Sequence, residues 1–518
     1  MELFCKNSEL TILPNARMDR TDCAVLTLHT AKNATVRGQA VLRHVVPFTL
    51  ESVSFTELTG GLCPEMLSAA IQGYLIYNDS VPYPDQVLPI TKTDIPANRA
   101  QAFWISVRIP AVMPAGRASF SAVFHTSAGD YTARFFLHIY DVTLPEPKDG
   151  AFAHEYFYSY DPTHTFGETY APFTEKWWTL MDSYAHAMRA LRVNCLYLDL
   201  YPLLDTGNSK KTGVDTWQFD FSHLDAFVRF FLAHGSFRHL VFRSLADGLT
   251  GAHLPSFDEN GEYVRLDSGT EECAAWIRAV YGSLYRHFAE NSWAKMLIVH
   301  LADEPHETGH WKWIRAILRE AMPGVPCSEP FDMRRSAVEL AGECEIFVPR
   351  LEVYEEDPAY FADRQAAGDT LWCYSCCFPD DAYHLNKFID QPARYARLIK
   401  WACYTSGITG FLHWGFNFWD IPTYGTAPDA HYKGDGFIVY PDTENSAVRM
   451  SARGMATTEG IEDYELLKIA EGIDPIASHA LANTVARTFS DFSADPEAIS
   501  HARQTLLALC EMGKREQG

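Results

Sequence analysis

From residue 151 onward the chain alternates short apolar runs with stretches of helical spacing, and this rhythm constrains its fold more than any other feature. The apolar runs are AFAHEYFYSY (151–160), VNCLYLDLY (193–201), RHLVFRSL (238–245) and KMLIVHLADE (295–304). They continue as GVPCSEP (324–330), CEIFVPRLEV (344–353), TLWCYSCC (370–377) and ITGFLHWGF (408–416). Helical spacing marks the intervals 173–192, 222–235, 271–290 and 391–407. Eight strands alternating with helices over about 260 residues is the count of an α/β (β/α)8 TIM barrel.

The first 147 residues read differently. AVLTLHT, QAVLRHVVPFTLESVSF, AFWISVRIP, ASFSAVFHTS and YTARFFLHIYDVTL show apolar alternation punctuated by Pro, Gly, Asn and Asp. Several short strands at that spacing predict an antiparallel β-sandwich. LPEPKDG (Leu144 to Gly150) is a linker by composition. The expected order is therefore an N-terminal β-sandwich over 1–147, a barrel over 148–470 and a C-terminal helical extension over 471–518 packed on the barrel. EGIEDYELLKIAEGI (459–473) is expected to close the barrel as a helix, with Glu462 and Asp463 on its surface or pinning a loop.

In such barrels chemistry sits at the C-terminal ends of the strands. That rule selects Asp199 and Tyr201 on the second strand, Arg243 on the third, and His300 with Asp303 and Glu304 on the fourth. It adds Glu329 on the fifth, Arg350 and Glu352 on the sixth, Tyr374 on the seventh, and Trp414, Asn417 and Trp419 at and beyond the eighth. A lone charged group at a strand end is more often a structural ion pair. Several converging on one mouth point to a polar ligand.

The sharpest feature is HLADEPHE (300–307), where Asp303 and Glu304 close an apolar strand ahead of Pro305. Strand alternation would place an inward Glu304 on one face with Ala302 and His300, and Asp303 could then enter the site only because the strand ends and its backbone turns. Glycosidic cleavage needs a proton for the leaving oxygen and something to stabilise an oxocarbenium-like centre, tasks most enzymes divide between two carboxyl groups. The seventh strand carries no carboxylate, and Asp380-Asp381 follow only in the loop. That pattern favours a sugar whose own 2-acetamido oxygen attacks the anomeric carbon. One carboxylate would then hold the acetamido N–H and the other act as acid and base. Glu329 or Glu352 as partner to Glu304 on ordinary hexosides, and a non-catalytic sugar-binding barrel, remain the alternatives.

Composition narrows the partners. Against 66 Asp+Glu stand 43 Lys+Arg, a net charge of −23 that lacks the basic footprint of a nucleic-acid binder. No apolar window approaches the length of a membrane span. The start MELFCKNSELTILPNARM has no secretory pattern, so a cytoplasmic location is expected. Cys373, Cys376 and Cys377 have no second Cys-x-x-Cys pair, so they read as buried thiols and no metal is expected. Aromatic residues make up 13% of the chain. Of these Trp177 and Trp178 read as core or interface, and Tyr374, Trp414, Trp419 and Trp217 stand where a sugar could stack.

Four stretches together give the chain a resemblance to glycoside hydrolase family 123 and the related bacterial domains. They are 113–147, HLADEP (300–305), GFLHWGFNFW (410–419), and GDGFIVYPD (434–442) followed by Arg449, Arg453 and EGIEDYELL (459–467). The resemblance implies an exo-acting β-N-acetylgalactosaminidase-like enzyme with no metal or other cofactor and a carbohydrate substrate. Carried over, Glu304 would be the general acid/base and Asp303 the residue that orients the 2-acetamido group. Trp414 and Tyr374 would wall the sugar pocket.

Overall fold

The structure is a computed structural model that describes residues 1–517 except 77–80, 205–206, 244, 247 and 420–432. Residue 244, within the expected third barrel strand, thus lies outside the described residues. The chain forms two compact units, one of 1–146, 385–406 and 417–518, the other of 147–384 and 407–416. Among the described residues no helix is long and apolar enough to cross a membrane.

The first unit holds two five-stranded sheets. One runs in the order Glu2–Asn7, Ala34–Arg43, Ala100–Ile109, Leu67–Ile76, Pro82–Pro89. The other runs Val25–Lys32, Gly129–Thr143, Gly116–Thr126, Phe48–Thr56, Thr93–Ile95. Alternating apolar residues of both sheets meet in one core, where the Phe103 and Phe124 rings lie 5.0 Å apart. The expectation of purely antiparallel pairing needs correction, because Gly129–Thr143 runs parallel to Val25–Lys32.

The helices Arg394–Thr405, Ala452–Glu471, Pro475–Val485 and Pro496–Gln517 also belong to this unit. This division differs from the expected one of 148–470 and 471–518. The last helix is tied to the sheet, since Glu511 accepts from the Asp141 backbone N–H at 2.8 Å and Lys514 pairs with the Asp141 carboxylate at 2.8 Å. Glu462 and Asp463 are not surface groups. Asp463 is fully buried and accepts from Arg397 Nε at 2.6 Å and Trp401 Nε1 at 2.9 Å, and both carboxylates bond Arg503.

The second unit is a parallel barrel. Its strands are Ala153–Tyr156, Cys195–Leu198, His239–Phe242, Leu297–His300, Cys327–Phe331 and Ile346–Pro349, then Thr370–Leu371 with Cys373–Ser375, and Gly410–His413. Trp372 interrupts the seventh position, whose first half pairs with the sixth strand and whose second half pairs with the eighth. The eighth pairs in turn with the first, and every pair is parallel. Runs such as CLYL, HLVF and LIVH are apolar at every position because both faces of such strands are covered. Gly410 is required where it stands, since a Cβ there would lie 2.5 Å from the Trp372 indole. All eight strands are shorter than their apolar runs, so Asp199, Arg243, Asp303, Glu304, Arg350 and Glu352 lie beyond their strands, while His300, Glu329 and Tyr374 stay within them.

Candidate active site

The fourth strand ends at His300, and Leu301 and Ala302 leave the sheet while still buried. Glu329 of the fifth strand meets them there. Its Oε2 accepts from the N–H of Leu301 at 3.3 Å, the N–H of Ala302 at 3.2 Å and Trp311 Nε1 at 2.7 Å. Asp303 follows exposed and Glu304 half-buried, and Glu304 has φ of 55°. A side chain in that left-handed region costs roughly 1–3 kcal/mol and persists where its surroundings hold it. Strand alternation therefore does not orient Glu304, whose backbone has already left the strand. The turn does.

Burial raises the Glu304 carboxyl above its ordinary range. The neighbouring Asp303 and Asp332 charges raise it too, while the Tyr374 hydrogen bond and Arg350 oppose them. The Tyr374 hydroxyl, itself held neutral by burial and by Glu304, donates to Glu304 Oε1. Arg350 pairs with Glu352 and lies over the Phe378 ring at 5.2 Å. Arg243 pairs with Asp199 at 2.9 Å and feels the charge of Asp303. The structure thus groups Asp199, Arg243, Asp303, Glu304, Arg350, Glu352 and Tyr374, drawn from five strand ends.

Other expected residues are placed differently. His300 is 2% exposed, with Nε2 3.5 Å from Glu329 Oε1 and its ring 5.5 Å from Phe157, so it lies beneath the mouth. Tyr201 turns to the hairpin 253–267, donating to the Pro255 carbonyl at 2.8 Å and packing on Phe257 and Tyr263. Trp217 is likewise committed, its Nε1 donating to Phe257 O at 3.2 Å. Trp177 is core, bonded to Tyr160 O at 2.7 Å. Asn417 and Trp419 belong to the first unit, both buried. Asn417 bridges Phe437 in the backbone, and the Trp419 indole donates to Val439 O at 2.8 Å. Trp414 is half-buried in the turn directly after the eighth strand.

Two acids escaped the sequence reading. Asp332 lies one residue past the fifth strand, Cys327–Phe331, which ends one residue beyond the expected run 324–330. Its Oδ2 bonds His306 Nε2 at 2.9 Å. Glu155 is fully buried on the first strand, where burial pushes its carboxyl up to about 8 against the opposing pull of His300. A carboxylate inside an apolar run was its only signal in the sequence. Among the described residues no cluster of three His, Cys, Asp or Glu could hold a metal ion.

A parallel barrel whose mouth presents an acid of raised pKa beside a second carboxylate defines a class, the barrel glycosidases. Residues 171–470 match the family described as glycoside hydrolase 123, catalytic domain. The chain belongs to glycoside hydrolase family 123 and is a glycosidase acting on carbohydrate substrates. A family 123 glycoside hydrolase from Clostridium perfringens, solved for the details of glycolipid glycan hydrolysis, shares the fold. The two align with a TM-score of 0.76 at 14% identity, over 99% of this chain and 98% of that one. A β-D-glucuronidase from Dictyoglomus thermophilum aligns at a TM-score of 0.35 and 8% identity, over 84% of this chain and 67% of its own. A GH10 xylanase from termite gut gives 0.35 and 10%, over 70% and 90%. At those two scores the likeness carries no weight. A comparison with curated proteins returns no match.

Proposed function

We propose that this family 123 enzyme removes terminal β-linked 2-acetamido-2-deoxy sugars, N-acetylgalactosaminide-like, by a retaining and substrate-assisted mechanism. Glu304 gives its proton to the glycosidic oxygen as the bond from the anomeric carbon to the aglycone breaks. The 2-acetamido carbonyl oxygen attacks that carbon from the opposite face and forms an oxazolinium ion. Asp303 accepts the acetamido N–H and stabilises the positive charge that develops there. Water then opens the ring, giving its proton to Glu304, and the anomeric configuration is retained. Tyr374 and Trp414 wall the sugar pocket.

The observation that carries this reading is the state of the carboxylates around Glu304. The seventh strand offers Tyr374 in place of an acid, and its hydroxyl is on Glu304 itself. Glu329 is fully buried with one oxygen on backbone N–H groups, and Glu352 pairs with Arg350, which counts against either as the nucleophile of a two-carboxylate mechanism. Asp303 is exposed and adjacent. Leaving-group dependence tests the two roles. Glu304→Gln is expected to lose about 10²–10⁴-fold on substrates with poor leaving groups and far less on activated ones. Asp303→Asn is expected to slow both alike, by about 10²–10³-fold. Equal losses for both variants on both substrates would contradict the division.

A further inference from the structure

We infer that Glu329 is a positioning residue for the two catalytic carboxylates: it binds the backbone where the chain leaves the fourth strand and so fixes the turn that presents Asp303 and Glu304. The inference rests on the reading of Glu304 as the acid and goes beyond it.

A strand that stays in a sheet gives its N–H groups to the next strand. Beyond His300 the fourth strand no longer pairs with the fifth, whose partners are Val299 with Cys327 and His300 with Ser328. The N–H groups of Leu301 and Ala302 would be orphaned in a buried place, which is costly. One oxygen of Glu329 takes both, and Trp311 Nε1 on the helix Thr308–Ala321 holds that oxygen from a third side at 2.7 Å. Glu329 is 0% exposed, so it cannot swing toward the substrate. Its other oxygen faces His300 Nε2 at 3.5 Å. The carboxylate therefore anchors two successive residues, Leu301 and Ala302, immediately before the pair. Glu304, two residues on, holds the left-handed backbone that aims its carboxyl at Tyr374. Loss of the anchor frees the turn, and displacement of a catalytic group by about 1 Å can cost about 10²-fold in rate.

The test uses the full chain and a pair of aryl glycosides of the sugar that it cleaves fastest, one with a poor and one with an activated leaving group. An error in the sugar thus leaves the test intact. For Glu329→Gln, folded as judged by its melting midpoint, kcat is expected to fall about 100-fold on the poor leaving group and about tenfold on the activated one. KM should stay within about threefold. A merely structural role lowers the fraction of competent enzyme and reduces both rates equally. Trp311→Phe, which keeps the ring and removes the N–H, should show the same skew at smaller size. It decides the matter if Glu329→Gln does not fold. Equal losses on the two substrates, a loss carried by KM, or unchanged kcat would overturn the inference. Glu304→Gln run beside them tells the failures apart. If it too lacks leaving-group dependence, the acid assignment has failed and the positioning role falls with it. If it shows that dependence and Glu329→Gln does not, the positioning role alone is wrong.

Discussion

Asp303 and Glu304 are neighbours in sequence, yet their surroundings give them different chemistry. Glu304 is half-buried with a phenol on one oxygen, and burial is the largest cause of its raised pKa. Asp303 is exposed. In the proposed mechanism Glu304 acts protonated, so activity is expected to fall as pH rises through its pKa, and the basic limb of kcat/KM in the free enzyme should report it. Asp332 raises that pKa, so Asp332→Asn should move the basic limb to lower pH. The Tyr374 hydroxyl lowers it by favouring the carboxylate, so Tyr374→Phe should move the limb to higher pH. A pH–rate series on the two variants checks both signs, and shifts in the same direction would contradict the electrostatic account. The pair stood out in HLADEP because it closes the fourth of eight barrel strands, where such barrels hold their chemistry. Its orientation was not legible, because a left-handed residue overrides the strand period.

The elements show the same division. Strands such as CLYL, HLVF and LIVH announced themselves as apolar runs, since burial on both faces leaves no room for alternation, whereas the fifth, CSEPF, gave the weakest signal. Strand ends were overestimated because apolar residues such as Leu301 and Ala302 stay buried after pairing stops. The helix Ala452–Glu471 misled more seriously. Its Glu462 and Asp463 look like surface charges until Arg397 and Arg503, from helices far away in sequence, are brought onto them. Burial would raise the Asp463 carboxyl, but Arg397 and Arg503 outweigh it and hold it below its ordinary 3.8. The stability it supplies is therefore present above that value and lost as pH falls through the lower, folded one. Asp463→Ala should destabilise the unit by roughly 3–5 kcal/mol at pH 7, because two buried guanidinium groups each lose one of their carboxylate partners. Denaturant unfolding at pH 7 checks this, and a loss below about 1 kcal/mol would contradict the buried-network account.

At the scale of the molecule, the barrel count and the change at Leu144 to Gly150 were readable from periodicity and punctuation. The assignment of 385–406 and 417–518 to the first unit was not, because nothing local in those segments says which core they join. For the same reason Asn417 and Trp419, two residues of an aromatic run that reads as one motif, are buried in the first unit, while Trp414 stays at the end of a barrel strand. Family membership covers most of the barrel and fixes the reaction class. The sugar is the proposed part, argued from how the carboxylates are committed. One comparison tests that most directly: initial rates on 4-nitrophenyl β-glycosides that differ only in carrying a 2-acetamido or a 2-hydroxy group. Cleavage of the 2-acetamido compound at least about 10³-fold faster is expected, because in the proposed mechanism the acetamido oxygen is the nucleophile. Equal rates, or cleavage of the 2-hydroxy compound alone, would contradict substrate assistance and return the search to a second carboxylate, with Asp332 first.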